Sequence, residues 1–244
     1  MIVNKNCIVF FWIGKNIDIP SALVESIRIT MGNEVDIIQL TDFHTEKVLG
    51  VSEINRFELS KNIMIARLEA YSKFESNYNE IFYCDADSLF INKLNIPKSA
   101  NNLLLTLRKV DYIINHNFPE YYPEFEKKTF CQMMPFLFGA IATRGNQYEL
   151  FKNLLNICNN LPERFHRWYG DQISLKLYMD KNNSIKFDIL DQNIFLNIRR
   201  DKLSIEDIRV AVEEGTQMIT FKGPVAKKYM NDSIISLKNF KGKI

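Results

Sequence analysis

The sequence predicts an α/β domain with a central, mostly parallel sheet flanked by helices. Three observations carry this. Short apolar runs of strand length alternate with segments of helical periodicity through the first ninety residues. The third of those runs ends directly on two carboxylates, Asp85 and Asp87. The composition is that of a packed domain: 46% of the 244 residues are apolar, and 18 Phe and 10 Tyr stand against only 9 Gly and 7 Pro. A chain of this length suits one globular domain of about 250 residues or two small ones, and it is too apolar for a disordered or low-complexity segment.

Cys7–Ile13 is the first strand, an unbroken apolar run. Ser21–Met31 follows as a helix, with Leu23, Val24, Ile27 and Met31 on one side and Ser21 as N-cap after Pro20. Val35–Leu40 is the second strand. Lys61–Glu75 is a second amphipathic helix, because Ile63, Ala66, Ala70 and Phe74 recur at three or four residues. Ile81–Cys84 is the third strand, and strand, helix, strand, helix, strand is the alternation of parallel pairing. Leu103–Leu107 and Phe136–Thr143 are further strands, and Gln147–Asn159 and Asp171–Met179 are helices. Ile185–Leu190 and Met218–Phe221 are late strands. Between 111 and 135 the periodicity is weak while aromatics are dense, which marks a functional loop or lid rather than a plain connection. No repeat and no linker interrupts the chain.

Several classes are disfavoured. With 31 Lys and Arg against 29 Asp and Glu, the net charge of +2 gives no broad basic field for nucleic acid. The four cysteines, Cys7, Cys84, Cys131 and Cys158, form no Cys-x-x-Cys pair, and His44, His116 and His166 share no ligand spacing. Neither a Gly-x-Gly-x-x-Gly turn nor a phosphate-binding Gly-Lys-Ser/Thr loop is present. The cysteine pattern suits a reducing compartment, so the expected location is cytoplasmic, and the sequons at Asn182 and Asn231 carry no weight. The run Cys7–Ile13 lacks a cleavage site and no run approaches the roughly 20 residues of a membrane span. Lys238, Lys241 and Lys243 form either a solvated tail or, at most, a peripheral contact with the inner face of a membrane.

The chemistry centres on Asp85-Ala86-Asp87. Ligands of parallel α/β sheets bind beyond the carboxyl ends of strands. An extended Asp-x-Asp turns both side chains to the same side, offering two hard oxygen donors to a divalent cation. Without a cation the two carboxylates would repel. One competing reading is a turn that Asp85 caps. Another is a phosphatase of the haloacid dehalogenase pattern, with Asp85 as nucleophile. That pattern belongs on the first strand and wants Thr or Val where Leu89 stands.

Ala66-Arg67-Leu68-Glu69-Ala70-Tyr71, followed by Ile81-Phe82-Tyr83-Cys84-Asp85-Ala86-Asp87-Ser88-Leu89-Phe90, resembles the core of retaining GT-A glycosyltransferases of the glycogenin and lipopolysaccharide galactosyltransferase type. Phe11-Trp12-Ile13-Gly14, with Pro20 downstream, is similar to the Trp-x-Gly start of mannosyltransferase-like and clostridial-toxin-like enzymes. The likeness resumes at Phe138–Arg144, Gly170–Gln172 and Thr220–Lys228. It implies a Rossmann-like nucleotide-diphosphosugar transferase fold, with a donor-binding half at about 1–107, an acceptor loop at 108–135 and a closing segment at 218–244.

The resemblance also implies roles. Phe11, Trp12, Ile13 and Gly14 would border the base of a nucleotide sugar, with UDP favoured, where an aromatic face suits stacking. Arg67, Asp85, Ala86, Lys222, Gly223 and Lys227 would hold the rest of the donor, with Arg67 suited to sugar or diphosphate by its planar head. Asp87 would ligate Mn²⁺ or Mg²⁺ directly, with Asp85 sharing the metal or holding the ribose, joined by Thr220, which stands where the family carries a histidine. Asp171 and Gln172 would lie beneath the sugar as the catalytic pair. Tyr112, Tyr121 and Tyr122 would wall an oligosaccharide or lipid-linked glycan acceptor. The implied activity is metal-dependent sugar transfer with retention, in bacterial cell-surface polysaccharide synthesis. The alternatives are a sugar-binding protein that kept the fold and lost transfer, a core role for Trp12, an exposed helical Arg67, and Asp171 as a plain N-cap.

Overall fold

The computed structural model describes residues 3–109, 111, 113 and 126–242. Strand β1 (Val3–Phe11) is central in a seven-stranded sheet and serves two cores at once. Cys7, Val9 and Phe11 enter one, Ile8 and Phe10 the other, and all five are buried. A strand covered on both faces carries no polar alternation, which is why this segment reads as an unbroken apolar run. On one side β1 pairs in parallel with β2 (Asp36–Thr41), which pairs in parallel with β3 (Glu53–Arg56). On the other it pairs in parallel with β4 (Tyr78–Cys84). Beyond β4 lie β7 (Phe136–Arg144), antiparallel to both neighbours, then β6 (Leu103–Leu107) and β8 (Asp188–Asp191), parallel to each other.

The chain therefore leaves β1 toward β2 and β3, then returns to add β4 on the opposite side. The reversal puts the switch point of the sheet at the carboxyl ends of β1 and β4, the place where such sheets bind ligands. It is flanked by the residues after Phe11 and after Cys84, since Phe10 pairs with Cys84 in register.

Helix α2 (Ile63–Lys73) covers one face of the sheet with α4 (Tyr148–Asn159) and α5 (Gly170–Lys181), burying Tyr71, Phe151 and Leu175 against Val9 and Tyr83. Helix α1 (Asp18–Met31) covers the other, through the Leu23, Val24, Ile27 and Met31 stripe its spacing predicted. It starts at Asp18, not at Ser21. The Asn16 side-chain oxygen accepts the Asp18 amide at 2.8 Å and Ser21 N already donates to Ile17 O, so an Asx turn starts the helix earlier and leaves Pro20 in the first turn, where its missing N–H costs nothing.

A second sheet sits beside α1: β5 (Ser88–Phe90), β10 (Met218–Phe221) and β9 (Asn197–Arg199), with β10 antiparallel to β5 and parallel to β9. Helices α7 (Ile205–Glu213) and α9 (Met230–Lys241) close over it. Short helices α3 (Phe130–Met133), α6 (Gln192–Phe195) and α8 (Pro224–Lys227) and a 3-10 turn at Glu163–His166 connect these elements.

Some expectations shift. Strand β1 stops at Phe11 rather than Ile13, and β8 begins at Asp188 rather than Ile185. The basic C-terminal segment is no solvated tail: Met230, Ile234 and Leu237 bury one side of α9, and Lys238 pairs with Glu25 of α1 at 2.6 Å. Lys243 lies outside the described residues. Among the described residues, no helix is long and apolar enough to cross a membrane.

Candidate active site

Just after β1, Trp12 is half-buried and its turn is fully bonded. Its amide donates to Leu40 O at 3.1 Å, its carbonyl accepts the Thr41 hydroxyl at 2.6 Å, and its indole N–H donates to Asn16 O at 2.9 Å. Gly14, at φ 135°, a conformation that favours glycine, donates its amide to the Thr45 hydroxyl at 2.9 Å. Phe11 is only 8% exposed and belongs to the core under α2, and Ile13 packs against that same core. Trp12, half-buried like Ile13, packs against the second core, and Gly14 is the exposed residue of this segment.

Opposite, the residues after β4 enter an ionic network drawn from four parts of the chain. Asp85 is fixed by its amide, which donates to Gly139 O at 3.2 Å. Its carboxylate lies so close to β7 that a Cβ on residue 139 would sit 2.4 Å from Oδ2, so any larger residue there would have to push the carboxylate aside. Arg67, on α2, donates to Asp85 Oδ1 at 2.8 Å, pairs through its other nitrogen with Asp171, and lies 4.8 Å over the Phe138 ring. At 14% side-chain exposure it is no solvated helix residue.

The closing segment arrives through the register of the small sheet. Thr220 pairs with Ser88, so Lys222 and Lys227, just beyond β10, meet Asp85 and Asp87, just before β5. Lys222 Nζ binds Asp85 Oδ2 and lies 3.1 Å from Asp87 Oδ1. Lys227 Nζ is 3.0 Å from Asp87 Oδ2. The Phe221 amide donates to Asp87 O at 2.8 Å, and the buried Thr220 hydroxyl donates to the same residue. Burial alone would raise the Asp85 carboxyl, but Lys222 and Arg67 outweigh it and hold it down at about 2. Burial would lower the Lys222 ammonium, yet Asp85 and Asp87 drive it well above its ordinary value.

Asp171 is fully buried in the first turn of α5. It is not the N-cap: Tyr169 holds that position, in the left-handed region at φ 66°. Gly170 follows because a Cβ there would lie 2.4 Å from Phe165 O. This tight turn aims Asp171 at Arg67, and the positive end of α5 favours its charge. Gln172 accepts from Arg108 at 2.8 Å, and that guanidinium also donates to Met134 O and lies 5.2 Å over Phe130.

Arg67, Asp85, Asp87, Asp171, Thr220, Lys222 and Lys227 are thus in one connected cluster, with Gln172 beside Asp171 and Gly223, at φ 90°, starting α8 beside Lys222. Ala86 is buried in the second core. Tyr112, Tyr121 and Tyr122 lie outside the described residues. Sequence reading missed three contributors: Phe138 and Gly139 against Arg67 and Asp85, and Arg108 against Gln172. A glycine inside an apolar strand is a readable sign of close approach; Arg108 carried no such sign.

The donors that converge here are all oxygens, two carboxylates and a hydroxyl, the set preferred by Mg²⁺ and Mn²⁺. Asp85 and Asp87 also share one cationic atom, Lys222 Nζ, so a position for positive charge is built between them. The residues therefore fit a hard divalent ion. Among the described residues, no three His, Cys, Asp or Glu side chains gather as a metal cluster, so Thr220 and a bound ligand would have to complete such a shell.

No protein-family model matches the chain, and no curated protein matches it. Solved structures do. The glycosyltransferase GlyE of Streptococcus pneumoniae TIGR4, in its apo form, superposes with a TM-score of 0.56 at 11% identity over 99% of this chain, which spans 63% of GlyE. The galactosyltransferase LgtC, in complex with donor and acceptor sugar analogues, gives 0.54 at 13% identity over 98% of this chain and 96% of its own. The bifunctional glycosyltransferase WbbM gives 0.54 at 14% identity over 97% of this chain and 52% of its own. At such identities the likeness is one of fold. The chain has the architecture of GT-A glycosyltransferases, a seven-stranded, mostly parallel sheet between helical layers.

Proposed function

We propose that this chain is a metal-dependent glycosyltransferase that moves a sugar from a nucleotide-diphosphate sugar, with UDP favoured, to a glycan acceptor with retention. The observation that carries the reading is the ionic cluster of Arg67, Asp85, Asp87, Asp171, Lys222 and Lys227 at the switch point. A structural ion pair needs two partners. This cluster gathers cations and carboxylates from α2, the end of β4, α5 and the segment after β10, at the switch point where sheets of this topology bind ligands. The shared architecture with GlyE and LgtC supports it.

The reaction passes through an oxocarbenium-like state while negative charge grows on the departing diphosphate. Asp85 and Asp87, with Thr220, would hold Mn²⁺ or Mg²⁺, which when bound neutralises that charge as a Lewis acid. Lys227 and Lys222 offer cationic donors to the leaving diphosphate, and Arg67 can reach the sugar or its phosphate. Trp12 stacks on the base, with Ile13, Gly14 and Gly223 shaping the walls, while Phe11 and Ala86, buried in the two cores, only anchor the strand ends beside them. Asp171 and Gln172 lie beneath the sugar, Gln172 held in place by Arg108, while the acceptor attacks from the face the leaving group vacates. Residues 108–135 with Tyr112, Tyr121 and Tyr122 would bind an oligosaccharide or lipid-linked acceptor. The reading places one domain over 1–244, in the cytoplasm with at most peripheral membrane contact, in bacterial cell-surface polysaccharide synthesis.

The test is nucleotide release from a panel of nucleotide sugars, with Mn²⁺ and with or without acceptor glycans. Asp87→Ala is expected to abolish release with donor in excess, and full activity in that variant would refute the assignment. A second reading, a sugar-binding protein without transfer, is favoured by Thr220, whose hydroxyl is already engaged by Asp87. Nucleotide-sugar binding with no metal-dependent hydrolysis would select it.

A further inference from the structure

We propose that Lys222 is an exchangeable resident cation: its ammonium holds the position between Asp85 and Asp87, and it gives that position up to a divalent ion and turns to the donor's diphosphate. The inference deepens the transferase reading, on which its second half rests. Its first half, the exchange, concerns cation binding alone.

The geometry singles out Lys222 among the cations of the cluster. It alone of the three touches both Asp85 and Asp87, whereas Arg67 reaches Asp85 and Lys227 reaches Asp87. When Lys222 leaves, each carboxylate keeps one cationic partner, Arg67 at 2.8 Å and Lys227 at 3.0 Å. Removal of either other cation would leave its carboxylate on the shared lysine only. Lys222 is also the most exposed of the three, at 39% of its side chain against 31% for Lys227 and 14% for Arg67. It stands between β10 and α8, next to Gly223 at φ 90°, so its own backbone belongs to neither element. Its long aliphatic stem carries a point charge with no fixed fork to break, unlike a guanidinium.

Charge balance gives the exchange its direction. Three carboxylates face three cationic side chains, and the cluster is neutral. A divalent ion added alone makes the cluster positive and has to drive out an ammonium that the carboxylates hold firmly. A diphosphate added alone makes it negative. Added together they restore neutrality, and the displaced ammonium has a new anion to meet. Divalent ion and donor therefore bind with positive coupling, each raising the affinity of the other by the same factor. The donor-free protein binds Mn²⁺ weakly because Lys222 competes for the site.

Mn²⁺ titration of the intact, donor-free chain by calorimetry, in wild type, Lys222→Met and Lys222→Arg, tests this. Lys222→Met removes the competing charge and keeps the stem, so it should bind Mn²⁺ roughly tenfold tighter or more. Lys222→Arg keeps the charge and should bind no tighter than wild type. At saturating Mn²⁺, Lys222→Met should bind UDP more weakly than wild type. An unchanged or weakened Mn²⁺ affinity in Lys222→Met overturns the proposal, as does equal tightening in both variants or no Mn²⁺ binding in any. Circular dichroism and thermal unfolding check that each variant is folded, and Lys222→Gln replaces Lys222→Met if that variant is not. Tighter Mn²⁺ binding with no nucleotide released from any donor would keep the exchange and refute the transferase. Transfer with no such response would do the reverse.

Discussion

Replacement of Arg67 by Met removes one guanidinium and exposes what it balances. Arg67 lies 2.8 Å from Asp85, pairs with Asp171 and rests 4.8 Å over Phe138, with 14% of its side chain exposed. Asp171 is fully buried, and among the described residues no other cationic side chain forms an ion pair with it. The variant therefore leaves a buried carboxylate without its charge partner, a change that costs about 3–5 kcal/mol. The lost ring contact adds about 1–2 kcal/mol, and Met fills much of the vacated volume, so the unpaired charge remains the largest part. Against a total stability of about 5–15 kcal/mol this is a large fraction. The pH dependence identifies the cause. In the wild type, Asp85 is held at about 2 against an ordinary 3.8, which is worth about 2 kcal/mol of stability, fully present above pH 4 and lost as pH falls toward 2. In the variant Asp85 loses the part of that depression that Arg67 supplies. The stability gap between the two proteins should therefore be widest above pH 4 and narrow as pH falls toward 2. Urea unfolding at neutral pH and at the acid end of that range measures it. A gap below about 1 kcal/mol, or one that does not change with pH, would refute the argument that buried charge pairing is what Arg67 supplies.

Gly139→Ala places a Cβ 2.4 Å from Asp85 Oδ2 and should cost about 1–3 kcal/mol in urea unfolding while lowering nucleotide release, because the carboxylate has to move; wild-type behaviour in both assays would show that the strand yields instead. Asp85→Asn should flatten the loss of stability between pH 4 and pH 2, since the depressed carboxyl is gone; parallel wild-type and variant curves over that range would assign the acid sensitivity elsewhere. Trp12→Ala should weaken nucleotide-sugar binding measured by calorimetry with the fold intact, and an unchanged dissociation constant would return the half-buried indole to a packing role.

How much of this was legible depended on the range over which each signal acts. Strand β1 was readable because burial on both faces leaves a local trace, five apolar residues in a row. The stripe of α1 was readable for the same reason, while its start was not, since Ser21 is a plausible cap and the helix instead begins after an Asx turn in which the Asn16 side chain accepts the Asp18 amide. The strands of the second sheet are three or four residues long, too short for any period to show, and only Met218–Phe221 was apolar enough to be seen.

That short sheet is also what completes the site. Residues 85 and 222 lie 137 positions apart, and nothing local to either announces the other. The register of Thr220 against Ser88 brings them together. The resemblance singled out the closing segment and pointed to Lys222 or Lys227 as a phosphate contact. It could not indicate that Lys222 faces both carboxylates, because that follows from a backbone ladder rather than from a motif. The Asp85-Ala86-Asp87 pair posed a question of physics that the sequence left open: what cation keeps two such carboxylates ionised side by side. The answer in the folded chain is a set of three side-chain cations, and the shared one is the most exposed. A cluster built to hold a metal and nothing else would have no need to be neutral in advance. Its neutrality suits a site that must take up a dication and a diphosphate together and return to the same balance after both have left.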